Sequence, residues 1–471
     1  MIKRFFSIAI ILFLSCSLRA QVNLSGNWKG AVTISKMDLK MVVKFTVRND
    51  SLKGVIDIPE QHAKNLELKD ISYKHPKINF NLETSASIAY FNGEVFGDSI
   101  GGIFSQDVYQ GTFYLNRTEE VIKEEVKEKL PYKEEEVTFK NGENLFAGTL
   151  TIPEHSGKHP AVVMITGSGP QNRDEEILGF KPFRIIADYL TRNGIAVLRY
   201  DDRGVGDSKG KSVNESTTDE FSYDVIEAVK YLQSRSDINP KQIGLCGHSE
   251  GGIVAPLVAS KFKDIAFIIC IAGTGVTGGE ILLEQSRLIA KADSSSDEDI
   301  NINLEQMKML IDVAIKNTGW DEATASLKDV ILKYFDKIIS EEERKTIYDR
   351  DVYAQNLAKT QVNVFKSEWM RYFISYNPVP ALEKVKCPVL MFFGGKDLQV
   401  PVKQNEKPMV DALKKGGNKD YTVKTFADAN HLFQTATTGS PTEYAKLPKE
   451  FTDGFLDFMK DWVLKRVTVV K

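Results

Sequence analysis

The fold is decided by the stretch from Gln242 to Ala255, which reads Gln-Ile-Gly-Leu-Cys-Gly-His-Ser-Glu-Gly-Gly-Ile-Val-Ala. A short apolar run precedes Gly247-His-Ser249-Glu-Gly251, and a segment compatible with a helix follows it. Gly-x-Ser-x-Gly between a strand and a helix is typical of a tight turn that exposes the hydroxyl of its central serine. Glycine at both ends removes side chains that would collide in such a turn. The flanking strand and helix make an ordinary Gly/Ser surface turn the weaker interpretation.

Length and composition predict a globular protein of more than one structural unit. The chain has 471 residues, which is long for a single ordinary core, and 42% of them are hydrophobic and 27% charged. The formal net charge is −3, from 61 basic and 64 acidic residues. Because there is no basic excess, we expect neither nucleic acid nor an anionic membrane surface as a partner.

The first twenty residues have the pattern of a signal peptide. Lys3 and Arg4 precede an apolar run of about ten residues, which is too short to span a bilayer comfortably, and Ala20 offers a small residue at the cut. The sequence therefore predicts a signal peptide over residues 1–20 and a mature chain that is periplasmic or secreted. A lipoprotein anchored through Cys16 is the alternative.

Cysteine usage predicts neither disulfides nor a metal site. Beyond Cys16 the chain has Cys246, Cys270 and Cys387, each in or beside an apolar run. This placement is typical of small buried side chains. No Cys-x-x-Cys or His-rich ligand spacing occurs, so we expect no metal and no cofactor.

Residues 21–117 alternate apolar and polar residues in short runs that are broken by Gly, Asn and Asp. This pattern predicts an all-β domain, either a sandwich or a small barrel. We favour a stabilising or spacing role for it, with carbohydrate or lipid binding as the alternative. Residues 118–135 are rich in Glu and Lys and are interpreted as a charged linker.

From residue 136 the pattern changes to α/β. A hairpin around Asn141-Gly142 is followed by alternating strands and helices, including a helix from Phe221 to Ser234. Such alternation predicts a mostly parallel sheet with helices on both faces. It stops for residues 276–376, where apolar residues recur at helical spacing, and resumes at Pro388. We therefore predict an α/β domain over 136–471 that carries a helical lid at 276–376.

A serine hydroxyl needs a base to take its proton, and the base needs an orienting acid. Asp397 directly follows the strand-like run at 389–393, and His431 follows a run that ends near Phe426. The order Ser249, Asp397, His431 is the chain order of the Ser-Asp-His triad in open α/β sheets. Asp428 and Asp411 are alternatives for the acid.

Two N–H donors are expected to stabilise the oxyanion that forms during attack by a serine. Glu250 supplies one, and the loop after residues 161–166 supplies the other, with Ser168 as the first candidate and Gly167 or Gly169 as its neighbours. In the next loop, residues 201–208, Arg203 and Asp207 are expected to organise the backbone.

Five motifs together resemble one known family. They begin at residues 166, 200, 247, 394 and 430 and read TGSGPQNRD, YDDRGVGDS, GHSEGG, GGKDLQVP and NHLFQ. This set is similar to the EstD-type esterases of the α/β-hydrolase superfamily, which are close to the serine aminopeptidase-like hydrolases. The resemblance spans about residues 136–467. It implies carboxylesterase activity on short acyl esters, with Ser249, Asp397 and His431 as the triad.

Three functions follow as hypotheses. The first is a serine carboxylesterase acting on a small-molecule ester. The second is an exopeptidase or amidase with the same triad, for which Glu341–Glu343 is the acidic cluster that could hold an α-amino group. The third is a non-enzymatic envelope protein whose β domain binds a ligand.

Overall fold

The computed structural model describes residues 24–34, 37–48, 51–59, 63–83, 88–106, 109–118, 130–339, 341–344, 347 and 349–469. The chain divides into two compact units, with the boundary between residues 123 and 124. The predicted signal peptide, including Cys16, and residues 119–129 of the predicted linker lie outside the described residues.

The N-terminal unit is a closed antiparallel barrel, which decides between the two predicted β architectures. Each strand pairs with the next along the chain, and the first strand also pairs with the eighth. The strands are β1 (Gly26–Ile34), β2 (Met37–Arg48), β3 (Ser51–Ile58), β4 (Ala63–Lys74), β5 (Lys77–Glu83), β6 (Ile88–Phe96), β7 (Ser99–Gln106) and β8 (Tyr109–Thr118).

Aromatic side chains fill the interior of the barrel. Phe80 stacks on Phe91 with ring centroids 4.7 Å apart, and Phe113 meets both rings edge-on. Trp28 is fully buried beside them. These residues come from alternate positions of their strands, so the period-two pattern of the sequence produces a packed core.

The second unit contains an eight-stranded mixed sheet. Its strands lie in the order β16-β15-β14-β13-β11-β12-β10-β9, and β10 runs antiparallel to both its neighbours. They are β9 (Tyr132–Asn141), β10 (Asn144–Pro153), β11 (His159–Ile165), β12 (Ala196–Tyr200), β13 (Ile238–His248), β14 (Ile268–Ile271), β15 (Val389–Gly394) and β16 (Tyr421–Phe426). The mostly parallel sheet that the sequence predicts is therefore confirmed.

The sheet changes direction at β11, because the chain places β12 on one side of it and then crosses to β13 on the other. The carboxyl ends of β11 and β13 meet at this switch point. Ligand sites of open α/β sheets lie at such points.

Thirteen helices cover the sheet and form the lid in the described part of the chain. They are α1 (Pro182–Arg192), α2 (Thr218–Ser234), α3 (Gly251–Lys261), α4 (Gly278–Ala292), α5 (Asp297–Lys316), α6 (Trp320–Lys333), α7 (Phe335–Ile338), α8 (Glu341–Arg344), α9 (Arg350–Lys366), α10 (Glu368–Ser375), α11 (Val379–Leu382), α12 (Val402–Lys415) and α13 (Phe455–Leu464). Within the described ranges, no helix is both long and apolar enough to cross a bilayer.

Alternate residues of the parallel strands enter two separate cores. Val163 and Leu245 belong to the core that α2, α3 and α12 cover, whereas Met164 and Cys246 belong to the core beneath α1 and α13. Both faces of each central strand are thus buried, and all seven residues of β11 are buried. This burial explains why these strands appear in the sequence as continuous apolar runs.

The helical insertion between β14 and β15 comprises α4 to α10, as predicted for residues 276–376. Its core includes Leu327, Ile331 and Phe373, and it also includes Ile253 from the first turn of α3. The insertion is therefore packed on the helix that follows Ser249. The insertion, α4 to α10, is the segment that the sequence predicts as a lid.

Two elements begin earlier than expected. β9 begins at Tyr132, four residues before 136, because it is an edge strand whose outward positions carry charged side chains that resemble a linker. α2 begins at Thr218 and not at Phe221, because Thr217 and Glu220 form a capping box.

Candidate active site

Ser249 lies in the sharp turn between β13 and α3. Its φ of +54° is in the left-handed region, which non-glycine residues rarely adopt. Its N–H donates to the carbonyl oxygen of Ile271 at 2.8 Å. Strained backbone of this kind is retained at functional sites, where it fixes the direction of one side chain.

The two glycines of the motif are required by close backbone approach. A Cβ on Gly247 would lie 1.9 Å from the carbonyl oxygen of Gly251, and a Cβ on Gly251 would lie 2.2 Å from that of Ile165. The first contact would force the turn open, whereas the second would push the start of α3 away from the end of β11. The steric argument made from the sequence therefore holds for Gly247, and Gly251 is required by a contact with a neighbouring strand.

His431 and Asp397 are in direct contact at the same edge of the sheet. His431 Nδ1 lies 2.8 Å from Asp397 Oδ2, and both side chains are buried. The other oxygen of Asp397 accepts the backbone N–H groups of Gln399 and Val400, each at 2.8 Å. Burial alone would raise the pKa of Asp397, but His431 and these N–H groups outweigh it and hold the pKa below its usual value.

The alternative acids lie elsewhere. Asp428 is mostly exposed and pairs with Lys396 at 3.0 Å. Asp411 pairs with Lys407 on the surface of α12. Of the three carboxylates considered from the sequence, Asp397 is the one that the structure places against His431.

The backbone donors expected for an oxyanion lie beside Ser249. Ser168 and Glu250 line the same cleft as Ser249. Within the described part of the chain, neither of their N–H groups donates to a protein acceptor. The N–H of Gly167 donates to Glu175 Oε1 at 2.7 Å and is therefore not available. This leaves Ser168, with Gly169 as its neighbour, for the second donor.

Sequence reasoning missed the acidic residue Glu175. Its Oε1 lies 2.9 Å from Nδ1 of His248, the residue before Ser249, and His248 Nε2 lies 2.9 Å from the carbonyl oxygen of His431. Glu175 follows Asp174 and precedes Glu176, and such a run looks like a solvated loop. Its partner is 73 residues away, so no local pattern signals the contact.

The side chain of Glu250 is also buried, which the sequence did not indicate. It accepts the hydroxyl of Thr218 at 2.6 Å, and the indole Nε1 of Trp369 lies 3.0 Å from each of its oxygens. Burial raises the pKa of Glu250 to about 7, although both hydrogen bonds act in the opposite direction. A carboxyl group that titrates near neutrality therefore lies next to the serine.

The cleft at Ser249 has a cavity volume of about 190 Å³ and is closed on one side by the lid. It is smaller than the clefts of about 300 to 1,000 Å³ that hold drug-sized ligands, so it suits a small substrate group. Its walls are largely apolar on the lid side and include Ile281, Leu282, Gln285, Trp369, Met370 and Phe373, together with Thr274, Gln399 and Val400 from the sheet side. Among the described residues, no group of three or more His, Cys, Asp or Glu is arranged to hold a metal ion.

The loop over residues 201–208 is organised differently from the prediction. Arg203 is buried and bonds both oxygens of Asp224, at 2.6 and 2.8 Å, as a structural residue should. Asp207, however, is 86% exposed, and the carboxylate that orders the loop is Asp201, which Arg173 contacts through its backbone and guanidinium groups. The sequence does not distinguish the three aspartates of this loop, because only the fold determines which one points inward.

Parts of the chain are similar to known hydrolases. A model of the serine aminopeptidase S33 family matches residues 181–293, and a model of the prolyl oligopeptidase family matches residues 343–457. Esterase EstD of Thermotoga maritima is 28% identical over 337 residues, which make up 71% of this chain and 68% of EstD. The chain has the α/β-hydrolase fold.

Further relatives of the hydrolase are more distant or shorter in extent. Thiohydrolase aneE of Aspergillus aculeatus is 33% identical over 144 residues, or 31% of this hydrolase and 42% of that protein. The solved structure of the Pyrococcus furiosus esterase Pf2001 aligns with a TM-score of 0.44 at 17% identity, over 71% of the hydrolase and 91% of that chain. The esterase and hydrolase relatives, together with the two family matches, identify the hydrolase as a serine hydrolase, and the non-enzymatic hypothesis is set aside.

Proposed function

We propose that the protein is a serine carboxylesterase that hydrolyses short-chain acyl esters through an acyl-enzyme on Ser249. The observation that carries the proposal is the 2.8 Å contact between His431 Nδ1 and Asp397 Oδ2, which lies at the same sheet edge as Ser249. A base that is oriented by a buried acid is what a serine nucleophile needs.

In this mechanism His431 takes the proton of Ser249 as the oxygen attacks the ester carbonyl. Asp397 holds the imidazole in the tautomer that presents Nε2 to the serine, and it stabilises the imidazolium that forms. The N–H groups of Ser168 and Glu250 bind the oxyanion. The imidazolium then protonates the departing alcohol, and a water molecule activated by His431 releases the acid from Ser249.

The cleft supports a small acyl substrate. The lid contributes apolar side chains, among them Leu282 and Phe373, while Gln285 and Gln399 supply polar groups at the wall. A short acyl chain would bury its carbons against the apolar side. Because burial of each CH₂ group contributes about 0.8 kcal/mol, kcat/KM should rise with acyl length until the cleft is filled.

Turnover of p-nitrophenyl acetate by the Ser249→Ala variant tests the proposal. The variant should lose activity by at least about 10⁴-fold while it keeps the wild-type unfolding curve. The wild type should release a burst of p-nitrophenol equal to the enzyme concentration if deacylation is slow. Unchanged turnover in the variant would remove the mechanism.

Amide cleavage by the same triad is the second candidate. The two matching families are named for peptidases. The carboxyl group of Glu250 is buried and bonded by Thr218 and Trp369, so it does not offer an anchor for an α-amino group. The anchor proposed from the sequence, Glu341–Glu343, opens α8, but the side chains of residues 342 and 343 lie outside the described ones. Comparing p-nitroanilides of amino acids with matched p-nitrophenyl esters, with and without a free α-amino group, separates the two activities.

We also propose that the mature enzyme is exported, because Lys3 and Arg4 precede an apolar run that is typical of a signal peptide. N-terminal sequencing of the protein from its native host would then begin at Gln21. Recovery with a lipid on Cys16 would favour the lipoprotein alternative. Recovery with Met1 intact would contradict both forms of processing.

A further inference from the structure

A buried acidic residue lies behind the proposed oxyanion loop and takes no part in the mechanism above. Glu175 is 1% exposed, and its φ of +49° is in the left-handed region that side chains other than glycine rarely adopt. The loop thus adopts a disfavoured backbone conformation in order to bring a carboxylate inside. Such strain is found where the surrounding structure fixes a functional group.

The carboxylate of Glu175 joins two parts of the site. Its Oε1 accepts the N–H of Gly167 at 2.7 Å, directly before Ser168, and lies 2.9 Å from His248 Nδ1. The second nitrogen of that ring, His248 Nε2, lies 2.9 Å from the carbonyl oxygen of His431. One chain of hydrogen bonds therefore runs from the oxyanion loop to the backbone of the proposed base.

The partners of His248 determine its protonation state. A carbonyl oxygen can only accept, so His248 Nε2 must carry a proton to bond His431. Glu175 Oε1, which already accepts the N–H of Gly167, is a carboxylate oxygen and can only accept from His248 Nδ1. That nitrogen therefore carries a proton as well. Burial alone would lower the pKa of His248, but the Glu175 carboxylate and the two hydrogen bonds outweigh it and raise the pKa above its ordinary value.

Few other ionisable groups face this imidazole. Asp397 also favours its protonated form, and the ring of His431 lies 4.7 Å away between centroids. Apart from Glu175, the small cavity beside His248 is lined by apolar residues, which are Pro182, Phe183 and Ile186 of α1, Ile271 of β14, and Leu432, Phe433 and Phe451. Glu175 is thus the nearest fixed negative charge to the ring.

We propose that Glu175 and His248 form a carboxylate–imidazolium positioning pair, which fixes the oxyanion loop and the backbone of His431 relative to one another. The inference rests on the esterase mechanism proposed above and adds two residues to it. Neither residue touches the reacting atoms. They act by setting the distance between the groups that do, and displacement of a reacting group by about 1 Å can reduce turnover about 100-fold.

Glu175→Gln is the first test, with Glu176→Gln as the matched control. Glu176 is the adjacent carboxylate and pairs with Lys181 at 3.4 Å, away from His248. In Glu175→Gln the amide oxygen can still accept from Gly167 and from Nδ1, but the negative charge is gone. The buried ring then becomes neutral, and a bare Nε2 faces the carbonyl oxygen of His431.

For Glu175→Gln we expect kcat on p-nitrophenyl acetate to fall by about 10- to 100-fold with little change in KM. The ratio of variant to wild-type kcat should be closest to one near about pH 6 and should fall toward about pH 9, because His248 loses its proton at a lower pH in the variant. Dividing by the wild type cancels any pH dependence that the two enzymes share. The control should match the wild type at every pH.

Substitution of His248 tests the two contacts separately. The amide nitrogen of asparagine takes the place of Nδ1, so His248→Asn keeps the contact to Glu175. The amide nitrogen of glutamine takes the place of Nε2, so His248→Gln keeps the contact to His431. Both variants should have lower kcat than the wild type. Because neither side chain titrates, both should lack the steep pH dependence of Glu175→Gln.

Several outcomes would overturn the proposal. One is a folded Glu175→Gln enzyme with wild-type kcat from about pH 6 to about pH 9, and another is a deficit that is equal at every pH. If circular dichroism shows that Glu175→Gln is unfolded, the two His248 variants test the proposal in its place. Wild-type kcat in both of them would then overturn it. If Ser249→Ala is inactive while these variants behave as wild type, the positioning pair fails and the esterase mechanism stands. If Ser249→Ala is active, the mechanism itself fails.

Discussion

The indole Nε1 of Trp369 lies 3.0 Å from both carboxylate oxygens of Glu250. Trp369 belongs to α10, the last helix of the lid, and Glu250 is the residue after Ser249. The two are 119 residues apart in the chain. The contact links the lid to the turn that carries the nucleophile, and it is made by a carboxyl group whose pKa is raised by burial to about 7.

Glu250 makes folding stability depend on pH. Its pKa of about 7 exceeds the ordinary 4.5, so between these values the folded protein holds a proton that the unfolded chain has released. The stabilisation of the folded state by this proton is complete below the pKa that Glu250 has in the unfolded chain. It is lost as the pH rises through about 7. We expect the Glu250→Gln variant to gain stability relative to the wild type between about pH 4.5 and about pH 8, by on the order of 3 kcal/mol. Urea unfolding at a series of pH values measures this difference, and a constant difference would contradict the assignment.

Replacing Trp369 with phenylalanine should weaken the link between lid and turn. The ring would still stack on Phe373, whose centroid is 5.7 Å away, but the N–H donor to Glu250 would be lost. We expect the free energy of unfolding to fall by about 1 to 2 kcal/mol and the pKa of Glu250 to rise. Trp320→Phe is the matched control, because its indole bonds Asn317 within the lid at 3.3 Å. Equal effects of the two substitutions would show that the Glu250 contact is unimportant.

Asp397→Asn should show which of the candidate aspartates is the acid of the triad. The amide cannot stabilise an imidazolium, and it disfavours the tautomer that presents Nε2 to Ser249, so kcat should fall by about 10⁴-fold. Asp428→Asn removes a surface carboxylate that pairs with Lys396, and it should leave kcat unchanged. Steady-state kinetics on p-nitrophenyl acetate provides the comparison. A large loss in Asp428→Asn alone would identify the other carboxylate as the acid.

The Arg203–Asp224 ion pair should contribute to the free energy of unfolding. Both side chains are 4% exposed, and Asp224→Asn would leave the buried guanidinium with only the partly exposed Glu220, 3.7 Å away, as counter-charge. Breaking a buried pair in this way costs about 3 to 5 kcal/mol. Asp411→Asn breaks a surface pair with Lys407 and should cost less than about 1 kcal/mol. Chemical denaturation of both variants measures these values, and similar small losses would indicate that the Arg203 site admits water.

Several features could be predicted because they are local. Alternating residues of β11 and β13 enter opposite cores, so the strands appear as apolar runs, and Gly247 is required because a Cβ there would meet the backbone of Gly251 in the same turn. The parallel sheet, the lid and the order of Ser249, Asp397 and His431 follow from such patterns. The start of β9 was missed because an edge strand carries charges on its exposed side, as a linker does.

The sequence by itself determined the class of fold and which residue types could act as nucleophile, acid and base, because these depend on hydrophobic periodicity and on spacing along the chain. Only the tertiary structure decided that Asp397 rather than Asp428 meets His431, that Glu175 lies against His248, and that Trp369 reaches Glu250. Each of these contacts joins loops or helices from distant parts of the chain. Which carboxylate turns inward depends on how the elements pack, and burial, not residue type, then sets its pKa.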